Sequence, residues 1–192
     1  MGAIDSPLVL ERHRLTADEY QRMGAEGILA PDARVELIEG EIIKMATIGS
    51  RHWSMVNRLD ELMKLAVGRR AIVSLQSSLR LSQWSEPQPD LALFARRADY
   101  YRHALPTPAD TLLVIEVADT SARYDREIKL PLYAKYAVRE LWIVDLDAKV
   151  LRMHGRPEGD GYLDLVEIST PGLTAITALP EVSVDLSGLF DD

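Results

Sequence analysis

The chain has 192 residues, 47% of them apolar and 27% charged, a composition that suits one globular domain and excludes a disordered chain. With 22 Lys and Arg against 30 Asp and Glu the formal charge is −8, so no overall positive field draws in a polyanion, and a phosphate-bearing substrate would need a local basic patch or a metal. Cysteine is absent, which removes disulfides, thiolate metal sites and cysteine nucleophiles together and fits a reducing cytoplasm.

At the N-terminus Met1-Gly2-Ala3-Ile4-Asp5-Ser6 satisfies the loose myristoylation pattern, but so short a match reads better as a frayed end, and residues 7–10 are too short for a signal-peptide core. Thr16-Ala17-Asp18-Glu19 has the form of a capping box opening a short helix to about Gly24. Residues 34–38 and 41–45 are β-prone runs either side of Glu39-Gly40, which predicts a hairpin. From 50 to 66 the apolar positions Met55, Val56, Leu59, Leu62, Met63 and Ala66 recur at three and four, and Gly68 stands where a helix stops.

Val73, Leu75, Leu79 and Leu81 alternate with Ser74, Gln76, Ser78 and Arg80, so 73–81 reads as one strand with a wet face. Strands are expected at 90–95 and 111–118, a helix at 123–137 despite Pro131, and a strand at 140–146 rich in Trp, Ile and Val. Two more strands, 150–154 and 162–168, flank a turn-rich stretch at 155–161. The tail from 171 is weakly patterned, with a short strand near 182–184. The longest apolar run, 112–117, is broken by Glu116 and falls far below the roughly 18 residues a membrane span requires, so no membrane contact is expected. The order predicts a single mixed α/β (α+β) domain over 1–192 built on one sheet, with 1–15 and 187–192 peripheral.

The sequence has no Walker loop, no G-x-G-x-x-G, no H-E-x-x-H and no G-x-S-x-G, which lowers nucleotide hydrolysis and serine acyl transfer. What remains is Pro89-Asp90 opening one strand and Glu116 inside another, on the face expected to carry Leu112, Val114 and Ala118. An isolated ionised carboxylate in such a strand costs several kcal/mol unless a cation or a shifted pKa compensates. Two cations are on offer: a divalent ion shared with Asp90, and Lys129, which precedes Leu132, Tyr133 and Tyr136 on one helical stripe. Asp90, Glu116 and a lysine make the minimal kit for phosphodiester hydrolysis, with hard carboxylate oxygens for Mg²⁺ and an ammonium for the developing charge. The competing reading makes Glu116 an arginine's structural partner and leaves Lys129 bridging Asp125.

These motifs together resemble a known family. Glu36-Leu37-Ile38-Glu39-Gly40-Glu41-Ile42, His52 on the next helix, Pro89-Asp90, Ile115-Glu116-Val117, Asp125-Arg126-Glu127-Ile128-Lys129 with Tyr133, and Glu140-Leu141-Trp142-Ile143-Val144-Asp145 look like the Uma-type bacterial family of restriction endonucleases within the PD-(D/E)xK nuclease superfamily. The resemblance runs from about Thr16 to Asp145. It implies a restriction-endonuclease-like fold, a central mixed sheet flanked by helices, with an Mg²⁺-dependent phosphodiesterase centre in which Mn²⁺ substitutes. Asp90 and Glu116 would be metal ligands, Lys129 the catalytic lysine and Glu36 the supporting acid. The superfamily lysine stands two residues after the strand acid, where this chain has Ala118, so Lys129 would replace it from the neighbouring helix.

His52 falls on the apolar stripe of its helix and is carried as a catalytic candidate that could reach the metal water or the phosphate, although a buried histidine bonded to backbone is the commoner outcome. Glu39 and Glu41 flank a turn, with Glu41 the reserve acid. Gln76 and Arg80 could touch phosphates from a wet strand face. His13, His103 and His154 read as surface residues, and Trp53, Trp84 and Trp142 as core or interface. Arg69, Arg70, Arg96, Arg97 and Arg102 could form a basic rim, doubled by a twofold homodimer on double-stranded DNA. The alternative function is a catalytically inactive nuclease-fold protein that binds nucleic acid or another protein.

Overall fold

The computed structural model describes residues 12–119 and 122–191; the Met1–Ser6 pattern lies outside them. Helix α1 (Ala17–Ala25) starts at the expected capping box, in which Thr16 Oγ1 accepts from the Glu19 amide and the Glu19 carboxylate accepts from the Thr16 amide. Strands β1 (Val35–Ile38) and β2 (Glu41–Lys44) form the expected hairpin across Glu39 and Gly40, both left-handed at φ 49° and 87°. A Cβ on Gly40 would lie 2.7 Å from Arg14 Cβ, so glycine is required there on two counts. The strained Glu39 is held by its amide, which donates to Ser85 Oγ, and by its carboxylate, which accepts from Lys135 and Tyr136. Helix α2 (Ser50–Val67) buries Val56, Leu59, Met63 and Val67 and ends at Gly68 with positive φ, as its periodicity predicts.

The central sheet has the order β3 (Ala71–Leu75), β4 (Leu91–Ala95), β5 (Thr111–Ala118), β6 (Glu140–Asp145), β7 (Val150–Glu158), β8 (Gly161–Ile168). All its neighbours pair antiparallel except β5 and β6. The parallel pair is joined by a helical crossover of α3 (Ala122–Tyr124), a π turn over Asp125–Lys129 and α4 (Leu130–Lys135). One face of the sheet, with Leu93, Ile115, Val117, Trp142 and Val144, packs on α2 and on a C-terminal pair, β9 (Leu173–Ile176) and β10 (Leu179–Asp185). The other, with Ala92, Phe94, Val114 and Ile143, packs on Leu132 and Tyr133 of α4. The mixed sheet flanked by helices is the architecture the family resemblance implies, while the single sheet expected from the element order is joined by two separate two-stranded ones, β1–β2 and β9–β10.

Several expectations change in detail. The run 73–81 is one strand only to Leu75; Gln76 turns left-handed at φ 43°, and Leu79 and Leu81 cross to the opposite core, bonded to Pro87 and Ser85. A register irregularity facing Leu93 and Phe94 turns Leu112 away from Val114, into the α2 core. The helix predicted over 123–137 is interrupted by the π turn, where the Leu130 amide bonds Asp125 O, and Pro131 is accommodated at the start of α4. The stretch 155–161 is strand up to Glu158, with the turn confined to Gly159 and Asp160. The tail forms two strands, and Leu189 is buried beneath α2.

Candidate active site

Asp90 precedes β4, and Glu116 lies near the end of β5 beside it, so the pairing of Leu91 with Ile115 brings the two carboxylates together. Each is clasped by the other's backbone: the Asp90 amide donates to Glu116 Oε2 at 3.3 Å and the Val117 amide to Asp90 Oδ2 at 2.9 Å. Strand alternation turns Glu116 toward the crossover, as expected. The π turn there buries Lys129, whose Nζ lies 3.0 Å from Glu116 Oε1 and 3.7 Å from Glu36 Oε2. Its ammonium is thus directed to the acids from β5 and β1.

Two tyrosines complete the arrangement. Tyr133 donates to Glu116 Oε1 at 2.7 Å, and Tyr124 donates to Glu36 Oε1 at 2.9 Å. Glu36 also accepts from the Gln88 amide at 3.0 Å. His52 Nε2 lies 3.0 Å from Asp90 Oδ2, so the imidazole faces the acid, and its Nδ1 is buried without a hydrogen-bond partner. Gln76 Nε2 reaches Asp90 Oδ1 at 3.4 Å.

The electrostatics follow from crowding. Burial pushes the Glu116 carboxyl up to about 8, with the charge of Asp90 adding to the effect, against the pull of Lys129. Burial acts on Asp90 in the same sense, but His52, Lys129 and the Val117 amide outweigh it and hold this carboxyl below its usual range. Lys129 is raised despite its burial because Glu116 and Glu36 face it. His52 is raised by its bond to Asp90, again against desolvation.

These groups line a cavity of about 510 Å³ whose other walls are Arg34, Ile43, Lys44, the segment 45–49 and Asp119. Glu36, Asp90, Glu116 and Asp125 are all buried there against a single buried lysine. Arg34, Asp119, Tyr124 and the placing of Asp125 were not anticipated as parts of a site; Tyr133 was visible as the residue four after Lys129. Glu41 is exposed and faces Arg12, so the reserve acid does not reach the cavity. Arg80 pairs with Glu86 and Asp18. Arg69, Arg70, Arg96 and Arg97 lie where β3 begins and β4 ends, about 20 Å along the strand from Asp90 at ~3.3 Å per residue, so they do not rim the cavity. His154 is buried, the reverse of its sequence reading; Trp53 is 62% exposed, which excludes the core half of its reading, and Trp142 is core.

The family model "Uma2: Putative restriction endonuclease" matches residues 17–187. This chain belongs to the Uma2 family. A crystal structure from Anabaena variabilis ATCC 29413, described as a putative nuclease belonging to DUF820, superposes with TM-score 0.67 at 16% identity, covering 92% of this chain and 97% of that one. Among curated proteins none matches. The Uma2 assignment and the architecture agree with a restriction-endonuclease-like nuclease fold.

No three carboxylate or imidazole groups converge on one ion-sized point among the described residues. Asp90 and Glu116 both line the cavity, and among the described residues Asp90 Oδ1 is engaged only by the long Gln76 contact, which leaves Asp90 an oxygen that suits a hard divalent cation; both Glu116 oxygens are already bonded. Magnesium commonly takes one or two carboxylates and fills its remaining positions with water and phosphate.

Proposed function

We propose that this Uma2 member is a divalent-metal-dependent endonuclease that hydrolyses phosphodiester bonds of nucleic acid, with duplex DNA the first substrate to try and Mg²⁺ or Mn²⁺ the ion. It would act in the cytoplasm as a single nuclease unit that pairs into a homodimer. The observation carrying this reading is Lys129 Nζ at 3.0 Å from Glu116, on the wall of a cavity that Asp90 also lines. A lysine delivered from a helix to the strand acid restores the charge arrangement that Ala118 removes from the strand.

In this reading Asp90 and Glu116 hold the ion. When bound, it polarises the phosphate and lowers the pKa of water. Lys129 places a fixed positive charge where the pentavalent phosphate gathers negative charge, a contribution that needs no reorganisation during reaction. Glu36 holds the ammonium in position and is itself fixed by Tyr124 and the Gln88 amide. Tyr133 orients Glu116, and His52 orients Asp90. Arg34 and Lys44, which line the same cavity, would meet flanking phosphates.

The test is Mn²⁺ titration calorimetry of the wild type beside Asp90→Ala, with nicking of supercoiled plasmid, single-stranded DNA and RNA scored on the same samples. Binding and nicking by the wild type, both lost in Asp90→Ala, are expected. A wild type that binds Mn²⁺ and leaves all three substrates intact would overturn the enzyme reading in favour of a binding module.

A further inference from the structure

The outermost strand β8 pairs with β7 and, among the described residues, with no other strand. A sheet edge offers a row of unpaired amides and carbonyls, and proteins blunt such edges with lysine, proline, bulges or shortness. The opposite edge, β3, follows that rule: it has five residues, begins after Arg69 and Arg70, and stops at the left-handed Gln76. By contrast β8 runs for eight residues, Gly161–Ile168, without Lys, Arg or Pro. Leu163, Leu165 and Val166 stand 57%, 52% and 51% exposed along it. Its acids give little protection, since Asp164 is tied to Arg156 through both oxygens and Glu167 to Arg152, both on β7.

We infer that β8 is a self-association surface, pairing antiparallel with β8 of a second copy about a twofold axis at Asp164 and continuing the sheet from one chain into the other. An axis perpendicular to the sheet keeps each face continuous, so only residues of matching face can stand opposite one another. Centred on Asp164, this operation sets Leu163 opposite Leu165 of the second copy and Tyr162 opposite its Val166, each contact occurring twice. Every exposed apolar side chain of the strand then meets an apolar partner. Centring on Leu165 would set Leu163 against Glu167, and centring on Leu163 would set Tyr162 against Asp164. The charges are compatible as well. The two Asp164 carboxylates meet at the axis, each already neutralised by its own Arg156, and Glu167 faces Gly161.

One eight-residue strand from each chain makes a small interface beside the ~1,200 Å² of stable standard ones, so a reversible dimer in the micromolar range or weaker is expected. The catalytic strand follows from the register. Glu116 is level with Ile143, then Arg152, then Glu167 of β8. At ~4.8 Å per strand and ~3.3 Å per residue, the twofold places the two cavities about 35 to 40 Å apart on one face of the joined sheet. That span is close to one turn of duplex, ~34 Å. This last consequence rests on the nuclease reading; the interface does not.

The experiment uses the full chain without nucleic acid or metal, so its result is independent of catalysis. Sedimentation equilibrium from about 5 to 500 μM should show the wild type moving from the 21.5 kDa monomer toward twice that mass. Leu165→Lys, at an exposed position, should weaken the association at least tenfold with an unchanged circular dichroism spectrum. Because the chain has no cysteine, Asp164→Cys supplies one thiol per chain, and opposed strand residues lie within disulfide reach. Mild oxidation should link Asp164→Cys into a dimer far faster than Leu173→Cys, which is 76% exposed on β9. A wild type monomeric throughout, a dimer indifferent to Leu165→Lys, or equal linking of the two cysteine variants would each overturn the interface.

Discussion

Glu116 and Glu86 are both fully buried acids facing a basic side chain, yet their surroundings differ in kind. Glu86 is closed off: Arg80 Nε meets one oxygen at 2.8 Å, Gln21 meets the other, and Asp18 takes the far side of the guanidinium. It does not line the cavity that Glu116 lines. Glu116 shares Lys129 with Glu36, and Asp90 and Asp125 are buried within the same group. These acids and Lys129 line one cavity. A buried carboxylate alone says little about function; several that line one cavity beside a buried lysine make it a candidate site.

Parallel substitutions sharpen the contrast. Lys129→Met and Arg80→Met each remove the cation from a buried acid, and each should destabilise by about 3 to 5 kcal/mol where the acid stays charged. Only Lys129→Met should also abolish plasmid nicking, by on the order of 100- to 1,000-fold beyond any loss of folded protein. Denaturant melts run beside nicking assays decide the point, and equal loss of nicking in Arg80→Met would break the distinction. Tyr133→Phe removes one neutral hydrogen bond to Glu116, worth about 1 kcal/mol. It should slow nicking about tenfold while leaving substrate affinity unchanged in filter-binding titrations.

Glu140 supplies a third, milder case. It is buried, but neutral donors, Trp142 Nε1 and the Thr177 amide, satisfy its oxygens, so Glu140→Gln should cost only about 1 to 2 kcal/mol in thermal melts and leave nicking unchanged. The smallest effect concerns His154, whose Nε2 is buried without a partner and whose pKa burial lowers from 6.5. A base with a depressed folded pKa contributes stability above the unfolded value and loses it as pH falls through that region. The His154 contribution therefore falls between pH 7.5 and 5.5, against the gain that the raised Glu116 and His52 give over the same window, and the melting temperature of His154→Leu should rise relative to the wild type as the pH is lowered.

Periodicity made most of the fold legible: the capping box, the hairpin at Glu39-Gly40, α2 and the order of sheet strands are local signals. The failures occur where tertiary contacts override a local pattern. Residues 73–81 alternate but for Ser77, yet Gln76 turns so that Val73 and Leu75 serve one core and Leu79 and Leu81 the other. The π turn left no mark beyond Pro131, although it is what aims Lys129 at Glu116. The acids stood out because charge inside an apolar strand is rare. Arg34 and Asp119 gave no such signal, since they lie in a loop and beyond a strand end, where charged residues are ordinary.

The mutual clasp between Asp90 and Glu116 has a consequence for selectivity among ions. Backbone amides of adjoining strands hold both carboxylates, so their separation is governed by the interstrand distance and is established when the chain folds. The sheet works as a caliper. Under the proposed function it would favour an ion whose coordination tolerates little distortion, and Asp90→Glu would keep the charge but lose the gauge.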